Sequence, residues 1–132
     1  MKRSGVRFLI ADDHVEIREA LCDLLSLVDG ACVVGQAGDG KEAVELAESL
    51  RPQVVIMDVR MPRMDGIEAT RQIKARWPET KVIGHTAYVD SELCRVMTEA
   101  GAEDFITKGT LELSRLQELV VEARSADASI KA

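Results

Sequence analysis

Five short apolar runs, each followed by a longer stretch of helical periodicity, constrain this chain more than any other feature. The runs are Val6–Ala11, residues 32–37, Val54–Asp58, Lys81–Thr86 and Asp104–Thr107. Between and after them, apolar residues recur every three to four positions: Ile17, Leu21, Leu24, Leu25 and Val28, then Ala43, Leu46, Ala47 and Leu50. Ile67, Ile73 and Trp77 follow, then Leu93, Val96, Met97 and Ala100, and finally Leu113, Leu116, Leu119, Val120 and Ala123. Short continuous apolar runs read as buried strands and the longer 3.6-residue pattern as helices, so this sequence predicts alternating strands and helices. Short connections between such units predict a parallel sheet with helices on both faces. Right-handed crossovers leave few topologies, and we expect a doubly wound, flavodoxin-like α/β fold, (βα)5, with strand order 2-1-3-4-5.

The boundaries have local causes. Asp13 or Asp12 is expected to cap the first helix, which should begin near His14 and end near Asp29-Gly30. Pro52 and Pro78 stop the second and third helices, and Gly101 the fourth. Residues 125–132 are small and polar and read as a frayed terminus or the start of a linker.

A chain of 132 residues is one domain in size. Its net charge of -6 disfavours a nucleic-acid groove and suits metal cations or basic partner surfaces. Cys22, Cys32 and Cys94 lack the spacing of a zinc site and read as small core hydrophobes in a reducing cytosol. The basic start, Met1 to Gly5, runs into too few apolar residues for a signal sequence or a membrane span. We therefore expect a cytoplasmic protein with no membrane contact.

The third run carries the chemistry. Val54-Val55-Ile56-Met57 is rich in β-branched residues and stops abruptly at Asp58, as a buried parallel strand ending in a carboxylate would. In this topology the carboxyl ends of the first and third strands lie side by side at the switch point, where ligands bind. Asp12 and Asp13 follow the first strand, Thr86 ends the fourth, and Lys108 lies just past the fifth. Singly, each has a plain structural alternative: a cap, a strand threonine, a solvated lysine. Four such accidents at the same end of the right strands are hard to credit. Clustered carboxylates repel unless a cation sits among them, and a hard divalent ion, Mg2+ above all, suits oxygen ligands. Lys108 and Thr86 offer what a transferring phosphoryl group needs, and an aspartate can itself be the nucleophile. His14 and His85 read as surface or loop histidines without a metal role.

The set Asp12-Asp13, Asp58, Thr86-Ala87 and Lys108, with Met61-Pro62-Arg63-Met64-Asp65-Gly66, resembles the receiver domain of two-component response regulators. The likeness runs from Val6 to Arg124. Ala11-Asp12-Asp13-His14 and the stretch from Val33 to Gly40 look like the NarL/FixJ-type branch. The resemblance implies a receiver over residues 1–124 and a tail or linker over 125–132. It implies that Asp58 accepts phosphate from a sensor histidine kinase or phosphotransfer protein. Asp13, Asp58 and the Arg60 carbonyl would ligate Mg2+, with Asp12 acting through water. Lys108, Thr86 and the Ala87 backbone N–H would hold phosphoryl oxygens, and Thr86 with Phe105 would form a switch, although an aromatic in a short strand also reads as core. Such a domain catalyses only its own phosphorylation and dephosphorylation. Its output would be a homodimer or partner contact on the surface of the fourth helix, fifth strand and fifth helix, where Glu92, Arg95, Glu99, Arg115, Glu118 and Glu122 mix both signs. The domain itself would not bind nucleic acid, although transcription regulation is a possible output of a protein that carries it.

Two positions depart from the family. Gly109 follows Lys108 where many receivers have Pro, and Arg60 stands where smaller or uncharged side chains are commoner. The enzymatic alternative, a haloacid-dehalogenase-like phosphatase, resembles Asp-x-Asp at the nucleophile, whereas this chain has Asp58-Val59-Arg60. A phosphate-independent pseudo-receiver is disfavoured by the intact acidic pair, Asp58, Thr86 and Lys108.

Overall fold

The computed structural model describes residues 5–87, 90–108 and 113–131, with side chains through Ser125. Ten elements alternate: β1 (Val6–Ala11), α1 (Val15–Ser26), β2 (Ala31–Ala37), α2 (Gly40–Leu50), β3 (Val54–Asp58), α3 (Gly66–Arg76), β4 (Lys81–Thr86), α4 (Ser91–Ala100), β5 (Asp104–Thr107) and α5 (Leu113–Lys131). The strands form one sheet in the order β2-β1-β3-β4-β5, and all four pairings are parallel. The expected doubly wound topology is therefore the one adopted.

Strand alternation divides the core into two layers. Phe8, Ile10, Val54, Ile56 and Ile83 face one side, where they pack with Leu21, Leu25, Leu116 and Leu119 of α1 and α5. Leu9, Ala11, Val55, Met57 and Val82 face the other, against Ala43 and Ala47 of α2, Ala69 and Ile73 of α3, and Met97 of α4. β3 is buried along its whole length, as its unbroken apolar run demands of a central strand covered on both faces.

Among the described residues three helices begin on side-chain caps: Asp39 accepts from Glu42 N, Asp65 from Glu68 N, and Asp90 from Glu92 N and Leu93 N. α1 differs from expectation. Its N-cap residue is His14, with no side-chain cap, and the Asp12 carboxylate accepts from the His14 backbone N–H instead. The reason lies at the sheet, where Asp12 is drawn into a buried polar cluster with Lys108. α1 also ends earlier, at Ser26, with Leu27 as its C-cap. Helical backbone continues to Lys131, through the segment expected to fray, because residues 125–131 contain neither Gly nor Pro and include two alanines, the best helix former. Cys32 is exposed, unlike the core cysteine expected there, since β2 is an edge strand with only one neighbour. Among the described residues no helix is long and apolar enough to cross a membrane.

Candidate functional site

The sheet order places the ends of β1, β3, β4 and β5 in a row, and the register aligns them: Ala11 pairs with Met57, Asp58 with His85, and Thr86 with Thr107. Each strand therefore delivers its next polar residue to one crowded edge. Asp12 is fully buried there, and Asp58 and Thr86 are nearly so. Lys108 reaches in from the end of β5: its Nζ lies 2.9 Å from Asp12 Oδ2 and 3.2 Å from Asp58 Oδ1. The Lys108 backbone N–H donates to the Thr86 carbonyl at 2.6 Å, which ties the lysine to the end of β4.

This arrangement leaves charge unbalanced. Burial, followed by the nearby Asp12 charge, pushes the Asp58 carboxyl up to about 6, and the Lys108 ammonium only partly offsets it. Burial acts the same way on Asp12, but His85, Lys108 and His14 around it outweigh burial and hold it well below the ordinary carboxylate range. Burial lowers Lys108, yet the two carboxylates prevail and hold it above the usual lysine value. Oδ2 of Asp12 and Oδ2 of Asp58 are both buried with no aligned hydrogen-bond donor, so Lys108 serves the first as an ion pair alone. Buried carboxylate oxygens left in that state are costly.

A divalent cation fits this oxygen set. One ligand atom each from Asp12, Asp13, His14 and Asp58 lie within 4.8 Å of one another, with Asp13 and His14 at the exposed mouth and Asp12 and Asp58 at the floor. A cleft of about 220 Å³ opens above Asp58, lined by His14, Arg60, Thr86, Ala87 and Lys108 among others. Apart from Phe105, the expected site residues thus converge on this edge; Phe105 sits farther from the strand ends, beside Gly84. Its ring packs over Gly84, where an added Cβ would meet Phe105 Cδ1 at 2.7 Å, and it joins the layer of α3 and α4 on the same face as Val82.

Of the two histidines, His14 is at the surface as expected and His85 is not. His85 is no loop residue: it is 2% exposed, in the middle of the sheet edge, with Nδ1 3.8 Å from Asp12 Oδ2. A signal existed, because a side chain on β4, paired on both sides by β3 and β5, has nowhere to go but the interior. His14 is half exposed, and its Nδ1 stands 3.0 Å from Asp12 Oδ1 and 3.2 Å from Asp13 Oδ1. Asp90, which lines the cleft while capping α4, was also not foreseen. Gly109 lies outside the described residues.

Residues 8–121 match the model of the response regulator receiver domain family. This chain belongs to that family. The receiver is 39% identical over 104 residues to response regulator GacA of Pseudomonas viridiflava, an alignment covering 79% of this chain and 49% of the relative. It is 46% identical over 134 residues to a protein-glutamate methylesterase/protein-glutamine glutaminase of Haloarcula marismortui, covering 96% of this chain and 35% of that protein. Among solved structures, the receiver domain of a response regulator NarL from Mycobacterium tuberculosis superposes with a TM-score of 0.84 at 30% identity, covering 92% and 98% of the two chains. The chain spans about half the length of the GacA relatives it matches. As a response regulator receiver domain, it acts in two-component phosphorelay signalling, and the family partners of such domains are histidine kinases or phosphotransfer proteins.

Proposed function

We propose that Asp58 is the phosphoacceptor of this receiver. The observation that supports it best is the position of the Lys108 ammonium between two buried carboxylates, with the Oδ2 atoms of Asp12 and Asp58 left without hydrogen bonds. A carboxylate oxygen of Asp58 attacks the phosphorus of a phosphohistidine on a sensor kinase or phosphotransfer protein. The phosphorus–nitrogen bond breaks, the imidazole nitrogen leaves with the electron pair, and an acyl phosphate remains on Asp58. Lys108 holds one phosphoryl oxygen, while the Thr86 hydroxyl and the Ala87 N–H, both at the cleft wall, hold others. Asp13, Asp58 and the Arg60 carbonyl would hold Mg2+, with Asp12 acting through water. Bound there, it would neutralise the carboxylates and the charge that develops on the phosphoryl oxygens.

Reversal needs only water, which attacks phosphorus and returns the Asp58 carboxylate and inorganic phosphate. The chain thus turns over no substrate beyond its own phosphoryl group. Arg60 is exposed at the cleft, where its guanidinium can donate to phosphoryl oxygens and crowd the path of that water. Output passes to the surface of α4, β5 and α5, which pairs with a second copy once phosphorylated; the domain itself binds neither nucleic acid nor membrane. Residues 1–124 form the signalling unit in the cytoplasm, and residues 125–132 lead out of it. The relative LiaR of Bacillus subtilis is a transcriptional regulatory protein, and transcription is the output we propose for the whole protein.

Intact-mass measurement after treatment with acetyl phosphate and magnesium chloride should show one added phosphate on the native chain and none on Asp58→Ala. An undiminished adduct in that variant would refute the assignment.

A further inference from the structure

The loop between β3 and α3 brings Arg60 to the cleft, yet no strand ladder holds its tip. What holds it is α2. Arg63 Nε and Nη2 both donate to Asp39 Oδ2, at 2.8 and 2.6 Å, while Asp39 Oδ1 accepts from Glu42 N at 2.8 Å. One buried carboxylate, 6% exposed, therefore caps α2 with one oxygen and grips the loop with the other. Beside it, Gly40 N donates to the Met64 carbonyl at 2.9 Å, in a contact so close that a Cβ on Gly40 would sit 2.1 Å from that oxygen. At the loop's far end Gly66 N donates to the Val59 carbonyl at 2.8 Å.

Arg63 adopts this position at a cost. Its φ of +66° is a left-handed conformation that a side chain other than Gly, Asn or Asp rarely takes. A charged two-donor grip on a buried carboxylate is worth more than an ordinary surface ion pair and can offset such strain. Strain of this kind, held in place by its surroundings, collects near functional sites.

We infer that Arg63 is a positioning residue for the phosphoryl-transfer site: latched to Asp39, it fixes the loop that presents the Arg60 carbonyl to the metal. The inference rests on the reading of Asp58 and Mg2+ given above. Its physical basis is that groups which orient a metal's ligands set affinity nearly as strongly as the ligands do.

Calorimetric titration with magnesium chloride, read beside thermal unfolding of the same samples, tests it. Arg63→Ala and Arg63→Gly should each weaken Mg2+ binding about ten-fold. Gly relieves the positive φ, so Arg63→Gly should be the more stable of the two, although both lose the latch equally. Asp39→Asn keeps a good helix cap and removes the charged acceptor, so it should weaken binding by a similar factor with α2 intact. The Asp39→Asn/Arg63→Ala double variant should bind no more weakly than either single one, because both act through one contact. Arg63→Lys, with one donor in place of a fork, should fall between. Phosphorylation by acetyl phosphate should need more magnesium in each variant while reaching the native maximal rate at saturation. Mg2+ affinities within two-fold of native in Arg63→Ala and Arg63→Gly, with only thermal stability changed, would overturn the inference and leave Asp58 untouched. A native chain that takes up no phosphate on Asp58 would instead overturn the reading beneath it.

Discussion

The Lys108 ammonium lies 3.2 Å from Asp58 Oδ1 and belongs to the end of β5, two strands away in the sheet. A point charge held there by a fully buried Asp12, on a residue whose backbone N–H donates to the Thr86 carbonyl, needs no rearrangement to meet negative charge developing on a phosphoryl group. Removing one such preorganised donor commonly costs a factor of a hundred or more in rate. Lys108→Ala should accordingly take up phosphate from acetyl phosphate about 100-fold more slowly than the native chain. Rapid-mixing fluorescence or timed mass measurement reads the rate, and a loss of less than three-fold would show that Lys108 serves structure alone.

Asp12 and Asp13 are neighbours in sequence but not in environment, for Asp12 is wholly buried and Asp13 is exposed at the mouth. A carboxylate that meets a metal directly contributes more to its binding than one acting through water. Asp13→Asn should therefore lose more Mg2+ affinity than Asp12→Asn in calorimetry. Asp12→Asn should show the larger fall in thermal stability, because it strips Lys108 of a partner inside the protein. A greater loss of metal affinity at Asp12 would reverse the assigned roles.

The pH dependence of folding follows from Asp58. Its carboxyl is raised from 3.8 to about 6, so its contribution to stability is complete below about pH 4 and is lost as the pH climbs through 6. Asp12 is shifted downward, and its contribution is present above pH 4 and lost only as the pH falls further. Asp58→Asn removes the buried charge, so the metal-free variant should exceed the native chain at pH 7.5 by on the order of 3 kcal/mol, with the gap closing near pH 4. Denaturant unfolding in chelator at the two pH values checks this. Equal stabilities at pH 7.5 would mean that the native carboxylate is satisfied without a cation.

Phe105 fills the space that Gly84 leaves open on the neighbouring strand, beside Met97. Thr86 lies two residues beyond Gly84 on the same face of β4, so the hydroxyl, the glycine and the ring share one layer. Gly84→Ala should force the ring outward at a cost of about 1–3 kcal/mol, and Phe105→Ala in the same chain should recover part of it. On activation with beryllofluoride the native chain should sediment as a dimer, with resonances of α4, β5 and α5 shifted. Arg95 pairs with Glu92 and Glu99, and Arg115 with Glu118 and Asp104, so this face carries ion pairs that a second copy can exchange. An unchanged mass and unshifted resonances on that face would move the output surface elsewhere.

Local chemistry was enough to read the ten elements, the parallel sheet and the row of polar residues at its edge. Apolar runs of one period and helices of another each announce themselves within a few residues, and a buried strand ending in Asp58 needs no distant partner to be seen. Three further facts lay beyond that reach. The convergence of Asp12 and Lys108 on one edge was legible, but the complete burial of Asp12 and its close pairing with Lys108 were not, because they are settled only when β4 and β5 join the sheet. His85 lies on a strand expected between β3 and β5, yet its approach to Asp12 across β3 is fixed only by the folded sheet. The Asp39–Arg63 contact joins the start of α2 to a loop twenty-four positions on, and no periodicity encodes it. Sequence determined which groups reach the strand ends, since alternation and helical period are short-range properties of the backbone. Tertiary structure decided which of them meet, since charge pairing, desolvation and a strained φ are settled only by what folding brings alongside.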